Sequence, residues 1–125
     1  MNKIILVGIG GFLGSISRFG ISYLIQRYVV HPFPLATLLV NALGSVSIGL
    51  LFEFFKNHHL LPTITLFCAI GFLGSFTTFS TFSFETVELF RRNELYLASL
   101  NVMGNLVLCL SGVVLGSWMG SCLKI

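Results

Sequence analysis

The sequence predicts an all-α membrane protein of four transmembrane helices, the third broken mid-membrane. Three observations lead there. Of 125 residues, 55% are hydrophobic and only 9% charged, with a mean hydropathy of +0.96, whereas a soluble domain carries about 25% charged residues. Four apolar runs separated by short turns leave no room for a soluble domain, and each is near the ~20 residues that cross a bilayer. Finally, the stretch Gly71-Phe-Leu-Gly-Ser-Phe-Thr-Thr-Phe-Ser-Thr-Phe-Ser-Phe-Glu-Thr86 lies inside the third run, yet seven of the thirteen residues from Gly74 to Thr86 are Ser or Thr. Backbone amides in hydrocarbon must be satisfied internally, so such an interruption is tolerated only where it is buried in protein or lines a wet cavity. Broken spans of this kind are where membrane proteins hold ions.

The first span runs from about Ile4 to Ile25, bracketed by Lys3 and Arg27. Its start mimics a secretory signal, but Arg18 falls just past the short apolar core and hydrophobicity resumes after it, which argues against cleavage. Pro32 and Pro34 mark the turn, because the residue before a proline is pushed out of helical geometry. The second span, about Leu35 to Phe55, ends at Lys56-Asn-His-His59. Pro62 suits the first turn of the next helix. From Pro62 to Phe90 is 29 residues, long for a straight crossing. Gly71 to Gly74 is expected to split it into two half-helices, with the break near residues 74–78. Arg91-Arg92-Asn93-Glu94 forms the next turn, and the fourth span covers about Leu95 to Cys122. Residues 1–125 thus read as one four-helix transmembrane domain.

The net charge of +3 and pI near 9.0 do not indicate nucleic acid, because the seven basic residues are scattered at span ends and form no patch. Cys68, Cys109 and Cys122 lie in apolar stretches without metal-ligand spacing and read as inert buried thiols. His31, His58 and His59 fall in turns and read as surface residues. Gly8-Ile-Gly-Gly-Phe-Leu-Gly14 fails as a dinucleotide turn, since Leu13 stands where the third glycine belongs and no βαβ context follows. No nucleophile–base pair is visible, so an enzyme is not expected.

With four spans, Lys3, Lys56 and Lys124 fall on one side of the membrane and Arg27, Arg91 and Arg92 on the other. Lys/Arg bias normally fixes orientation, and here it is balanced. Either the topology signal is simply weak, or the protein inserts both ways and pairs antiparallel with itself. A thin four-helix unit with this many polar residues needs a partner to cover them, which favours the second. Gly112, Gly116 and Gly120 on the fourth span, and Gly10 and Gly14 on the first, form stripes that let helices approach closely.

Several residues bear on chemistry. Arg18 is a charge at depth, costly and functional by default. It lies roughly 13 Å along a helix from Arg27, near enough to snorkel to the interface, and a cation at a pore mouth also draws anions inward; the two readings are compatible. Asn41 and Ser45 share a face of the second span, and Asn101 and Asn105 a face of the fourth. Such amides usually bond across helices, although the NH2 of Asn41 also offers donors to an anion. Phe76, Phe79 and Phe82 form an aromatic stripe beside Thr78, Thr81 and Glu85. A half-helix starting at the break presents free N–H groups and positive potential, and aromatic edges are electropositive too. Carbonyls freed at the break face the other way and suit a bare cation.

At these residues the sequence resembles the Fluc fluoride channels, also called the CrcB-like family, over essentially its full length. The resemblance rests on Gly10-Gly11-x-x-Gly14-x-x-x-Arg18, on Thr37-Leu-x-Val-Asn41-x-x-Gly44-Ser45, and above all on Gly71-Phe-x-Gly74-x-x-Thr77-Thr78-Phe79-Ser80-Thr81-Phe82-Ser83-x-Glu85. Ser75 is a departure, standing where members often carry a second glycine. The resemblance implies an antiparallel dual-topology homodimer in the inner (plasma) membrane, with two pores that passively export fluoride. It implies a structural sodium ion on the dimer axis, held by the backbone carbonyls of Gly74 and Thr77. It places Phe79, Phe82 and Asn41 along the anion path, with the hydroxyls of Ser80 and Thr81, the carboxyl of Glu85 and, more loosely, Ser111. The alternative is a small dual-topology proton-coupled exporter. That class needs a titratable carboxylate deep in an early span, whereas Glu53 lies near the end of the second and only Glu85 is at suitable depth.

Overall fold

Helix starts and stops follow local chemistry. The Asn2 side chain accepts from the Ile4 amide at 3.3 Å and caps α1 (Lys3–Tyr28). After the two-proline turn comes α2 (Leu35–His58), and Pro62 opens α3 (Pro62–Thr65). A π-helical segment (Leu66–Leu73) continues into α4 (Gly74–Phe76), followed by α5 (Phe79–Arg91) and α6 (Leu95–Cys122). The turn into α6 is a Schellman motif: Asn93 takes φ 61°, its amide donates to the Phe90 carbonyl at 3.0 Å, and the Glu94 amide donates to the Leu89 carbonyl at 2.9 Å. Asparagine is one of the few side chains that tolerate that left-handed position.

These features come from a computed structural model that describes residues 2–58 and 62–122. The side chain of His58, together with His59 and Lys124, lies outside that description. Every element among the described residues is helical, and four stretches are long and apolar enough to cross a membrane: Lys3–Tyr28, Leu35–Lys56, Pro62–Arg91 and Leu95–Cys122. Lys3 and Lys56 fall at one end of the bundle; Arg27, Arg91 and Arg92 fall at the other.

The third crossing breaks at threonines rather than at its glycines. Gly71 and Gly74 are both helical, and the chain leaves helical geometry at Thr77 (φ −79°, ψ 158°) and Thr78 (φ −150°, ψ 114°). Gly71 acts through its size: a Cβ there would lie 2.9 Å from the Val7 carbonyl oxygen. Threonine hydroxyls offer the backbone alternative partners, and a neighbouring side-chain amide completes the exchange.

Packing is done mostly by small residues. The buried residues of α1 are Leu6, Gly10 and Gly14, one per turn, and they face the π-helical segment and α4. A Cβ on Gly14 would run into the Phe72 carbonyl. Helices α2 and α6 form the other close pair, through buried Gly112, Gly116 and Gly120, and a Cβ on Gly116 would meet the Val46 carbonyl. Only 17% to 33% of each crossing is buried inside the protein, so most large apolar side chains point outward, as a lipid or partner contact requires.

Candidate functional site

The break is held by one side chain. Asn41 pairs with Thr78 as a strand neighbour would: its Oδ1 accepts from the Thr78 amide at 2.8 Å, and its Nδ2 donates to the Thr78 carbonyl at 3.1 Å. Thr78 then caps α5, its hydroxyl oxygen accepting from the Thr81 amide at 3.2 Å. That hydroxyl also donates to Thr81 Oγ1 at 3.0 Å and lies 3.2 Å from Ser80 Oγ, so three hydroxyls gather at the positive end of the α5 dipole. In a continuing helix the Thr78 amide would bond the Gly74 carbonyl; here it is committed to Asn41, which frees that carbonyl. Gly44 makes room for the turn, since a Cβ on it would run into Thr77 Cγ2.

Three cavities adjoin this region. One of about 370 Å³ is lined by Asn41, Ser45, Gly74, Thr77, Phe79 and Phe82, among others. A second, of about 250 Å³, is lined by Arg18, Gln26, Thr37, Thr81 and Glu85. Thr78 borders both. A third, of about 550 Å³ at the α1–α2 turn, shares Gln26 and Glu85 with the second. The three cavities are separate but neighbouring: Thr78 stands between the first and second, and Gln26 and Glu85 between the second and third.

Most residues singled out in the sequence meet around these cavities. The Phe79 and Phe82 rings lie 5.3 Å apart at 53°; Phe82 is buried, whereas Phe79 is 76% exposed. Ser80 and Thr81 are exposed beside it. Glu85 is half-buried: its Oε1 accepts from Thr37 Oγ1 at 2.9 Å, while its buried Oε2 has no partner among the described residues. Arg18 is half-buried and turns toward the break, with Nη1 donating to the Thr77 carbonyl at 3.4 Å rather than snorkelling outward. Among the described residues it joins no ion pair. Its cationic head therefore stays available in the polar cavity.

Asn41 has less freedom than the sequence suggests. Besides Thr78 it donates to Asn105 Oδ1 at 3.0 Å, so both amide hydrogens are committed and an anion must compete for them. Ser111 stands apart: it is exposed, lines none of the three cavities, and donates to the Val107 carbonyl of its own helix at 2.6 Å. Two residues at the centre of the geometry were named but given no role in the anion path: Thr78, in the polar stripe, and Thr37, in the second-span motif. A threonine three residues before Thr81, at a helix start, is an N-cap signal and marks Thr78; nothing local marks Thr37.

The carbonyls of Gly74 and Thr77 are hard oxygen donors freed by the break, and they suit a hard monovalent cation. Gly74 is exposed on the outer face of the crossing. The Thr77 carbonyl accepts only the long Arg18 bond and keeps a lone pair free.

The sequence model of the family described as CrcB-like protein, Camphor Resistance (CrcB), matches residues 5–117. Among relatives, the "Fluoride-specific ion channel FluC" of Ruminiclostridium cellulolyticum is 44% identical over 93% of this chain and 90% of its own length. Proteins of the same name from Campylobacter jejuni and Dehalococcoides mccartyi are 41% and 38% identical, over 93% and 99% of this chain and 95% and 96% of theirs. Four apolar crossings and relatives of this kind make the chain a multi-pass membrane protein. With a match of that extent, the chain belongs to the CrcB-like protein family.

Proposed function

We propose that this chain is a fluoride-specific channel of the plasma membrane that passively exports fluoride from the cytoplasm. The observation that carries the reading is the group of cavities that share Glu85 and Thr78 as lining, around the start of α5 and its paired phenylalanine rings. A strongly hydrated small anion exchanges its water there for hydroxyl donors, an amide and electropositive ring edges. The relatives are named as channels, not as enzymes. A proton-coupled exporter is not favoured, because the relatives carry the channel name.

The working unit is an antiparallel homodimer. Support comes from Gly74, Phe79, Ser80 and Thr81, all exposed around the middle of the 30-residue third crossing. Hydrocarbon satisfies no hydroxyl, whereas a second copy does. The balance of Lys3 and Lys56 against Arg27, Arg91 and Arg92 lets copies insert in both orientations. Gly74 and Thr77 would hold a sodium ion between the copies; its charge offsets the carbonyl dipoles gathered at the break.

Phe79→Ile and Phe82→Ile are each expected to slow fluoride efflux from liposomes by about tenfold, the loss of one aromatic contact of ~1.4 kcal/mol, with the dimer intact on size exclusion. Unchanged flux would remove the rings from the path. Arg18→Gln is expected to lower flux most at low ionic strength, because attraction at a vestibule is screened over about 10 Å at 0.1 M salt. Equal losses at 10 mM and 500 mM salt would show that Arg18 acts by packing instead.

A further inference from the structure

Asn41 belongs to a buried hydrogen-bond chain with a single direction. Asn41 Nδ2 donates to Asn105 Oδ1 at 3.0 Å; Asn105 Nδ2 donates to Asn101 Oδ1 at 3.0 Å and to the Asn101 carbonyl at 3.1 Å; Asn101 Nδ2 donates to Thr86 Oγ1 at 2.9 Å; and Thr86 Oγ1 donates to the Phe82 carbonyl at 2.7 Å. All four side chains are buried, Asn101 completely.

Both ends of this chain are main-chain groups of fixed polarity. The Phe82 carbonyl can only accept, so the Thr86 hydroxyl hydrogen is committed and its oxygen is left to accept from Asn101. The Thr78 amide can only donate, so it demands Asn41 Oδ1. Asn105 spends its NH2 on Asn101 and offers Asn41 nothing but an acceptor. If the Asn41 amide turned over, its oxygen would face Asn105 Oδ1 and its NH2 would face the Thr78 N–H, two like-to-like contacts in a dry site. A helix contact alone would need any single bond; this chain sets which atom of Asn41 faces which neighbour.

We propose that Asn105, which lines the cavity beside the rings, and Asn101 and Thr86, which line none of the three cavities, are positioning residues for anion passage. They act by fixing the orientation of the Asn41 amide and, through the Phe82 carbonyl, the turn that carries the Phe82 ring. This role rests on the fluoride reading. Bonds in a low-dielectric chain also reinforce one another, so a change at Thr86 reaches Asn41 although the two do not touch.

Thr86→Val keeps the shape and removes the hydroxyl; Thr86→Ser keeps the hydroxyl. In the full-length protein, Thr86→Val is expected to slow fluoride efflux by about fivefold, equivalent to ~1 kcal/mol or one net hydrogen bond. It should also shift the Asn41 side-chain amide resonances in NMR. Thr86→Ser is expected to leave both within about twofold and unshifted, respectively. Asn105→Leu should give the same signature with a larger loss. Flux unchanged in Thr86→Val, or reduced with the Asn41 resonances unmoved, would overturn the role. So would failure of both Thr86→Val and Asn105→Leu to assemble where Thr86→Ser assembles, which would make the chain a folding element. Absence of fluoride flux from the unaltered protein would instead overturn the fluoride reading, and this role with it.

Discussion

Asn41→Leu is expected to cut fluoride efflux about a hundredfold, with four helical crossings still present by circular dichroism. Leucine keeps the γ-branched, four-heavy-atom outline of asparagine while removing its polar atoms. It leaves three buried groups without partners: the Thr78 amide, the Thr78 carbonyl and Asn105 Oδ1. Each unsatisfied group costs about 1–3 kcal/mol, and two at the lower-middle of that range exceed the ~2.7 kcal/mol that corresponds to a hundredfold change. The cheapest escape is for Thr78 to return its amide to the Gly74 carbonyl and rejoin the helix. That would erase the start of α5 and the cavities that meet at Thr78. Efflux at equal protein load, read with a fluoride electrode, checks this; flux within about threefold of the unaltered protein, less than ~0.7 kcal/mol, would show that the break holds without Asn41.

The second large effect is expected at Gly14. A Cβ there runs into the Phe72 carbonyl, a backbone atom that no rotamer change can move aside. Gly14→Val should therefore prise α1 from the π-helical segment, leaving aggregated or degraded protein where Gly14→Ala gives reduced yield. Overpacking typically costs about 1–3 kcal/mol and more against backbone, a large share of the ~5–15 kcal/mol that holds a domain together. Gly20→Val on the same helix is the control, because a Cβ at Gly20 meets nothing within 4 Å. The yield of monodisperse protein after detergent extraction measures it; equal yields for Gly14→Val and Gly20→Val would contradict the packing seen between α1 and the third crossing.

The four crossings were legible because bilayer thickness and hydropathy leave little choice, and because Pro32, Pro34 and Pro62 punctuate the chain. The existence of a break was legible too, since hydroxyls crowd residues 74–86 of an otherwise apolar run. Its location was bracketed at residues 74–78, and it falls at Thr77 and Thr78, but its cause was not legible. Gly71 and Gly74 look like the weak point in sequence, yet in helical geometry they serve as thin spots against α1, and the decisive event is a side chain from another helix capturing the Thr78 amide. That is a contact between residues 37 positions apart, which no local pattern contains. The same distance problem hides Thr37 beside Glu85 and the link from Asn101 to Thr86. Arg18 was open between snorkelling and drawing anions inward; its Nη1 turns to the Thr77 carbonyl, and the salt dependence of Arg18→Gln tests the anion role. Ser111 was implied only loosely, by the resemblance; in the single chain its hydroxyl donates to the Val107 carbonyl of its own helix.

The most direct test of the account is paired efflux from liposomes carrying the purified protein, loaded equally with fluoride and chloride and held at one pH on both sides. Fluoride should leave rapidly while chloride is retained, with no pH gradient needed. Comparable chloride release, or fluoride release only when a proton gradient is imposed, would contradict a passive fluoride path built on the break at Thr77 and Thr78.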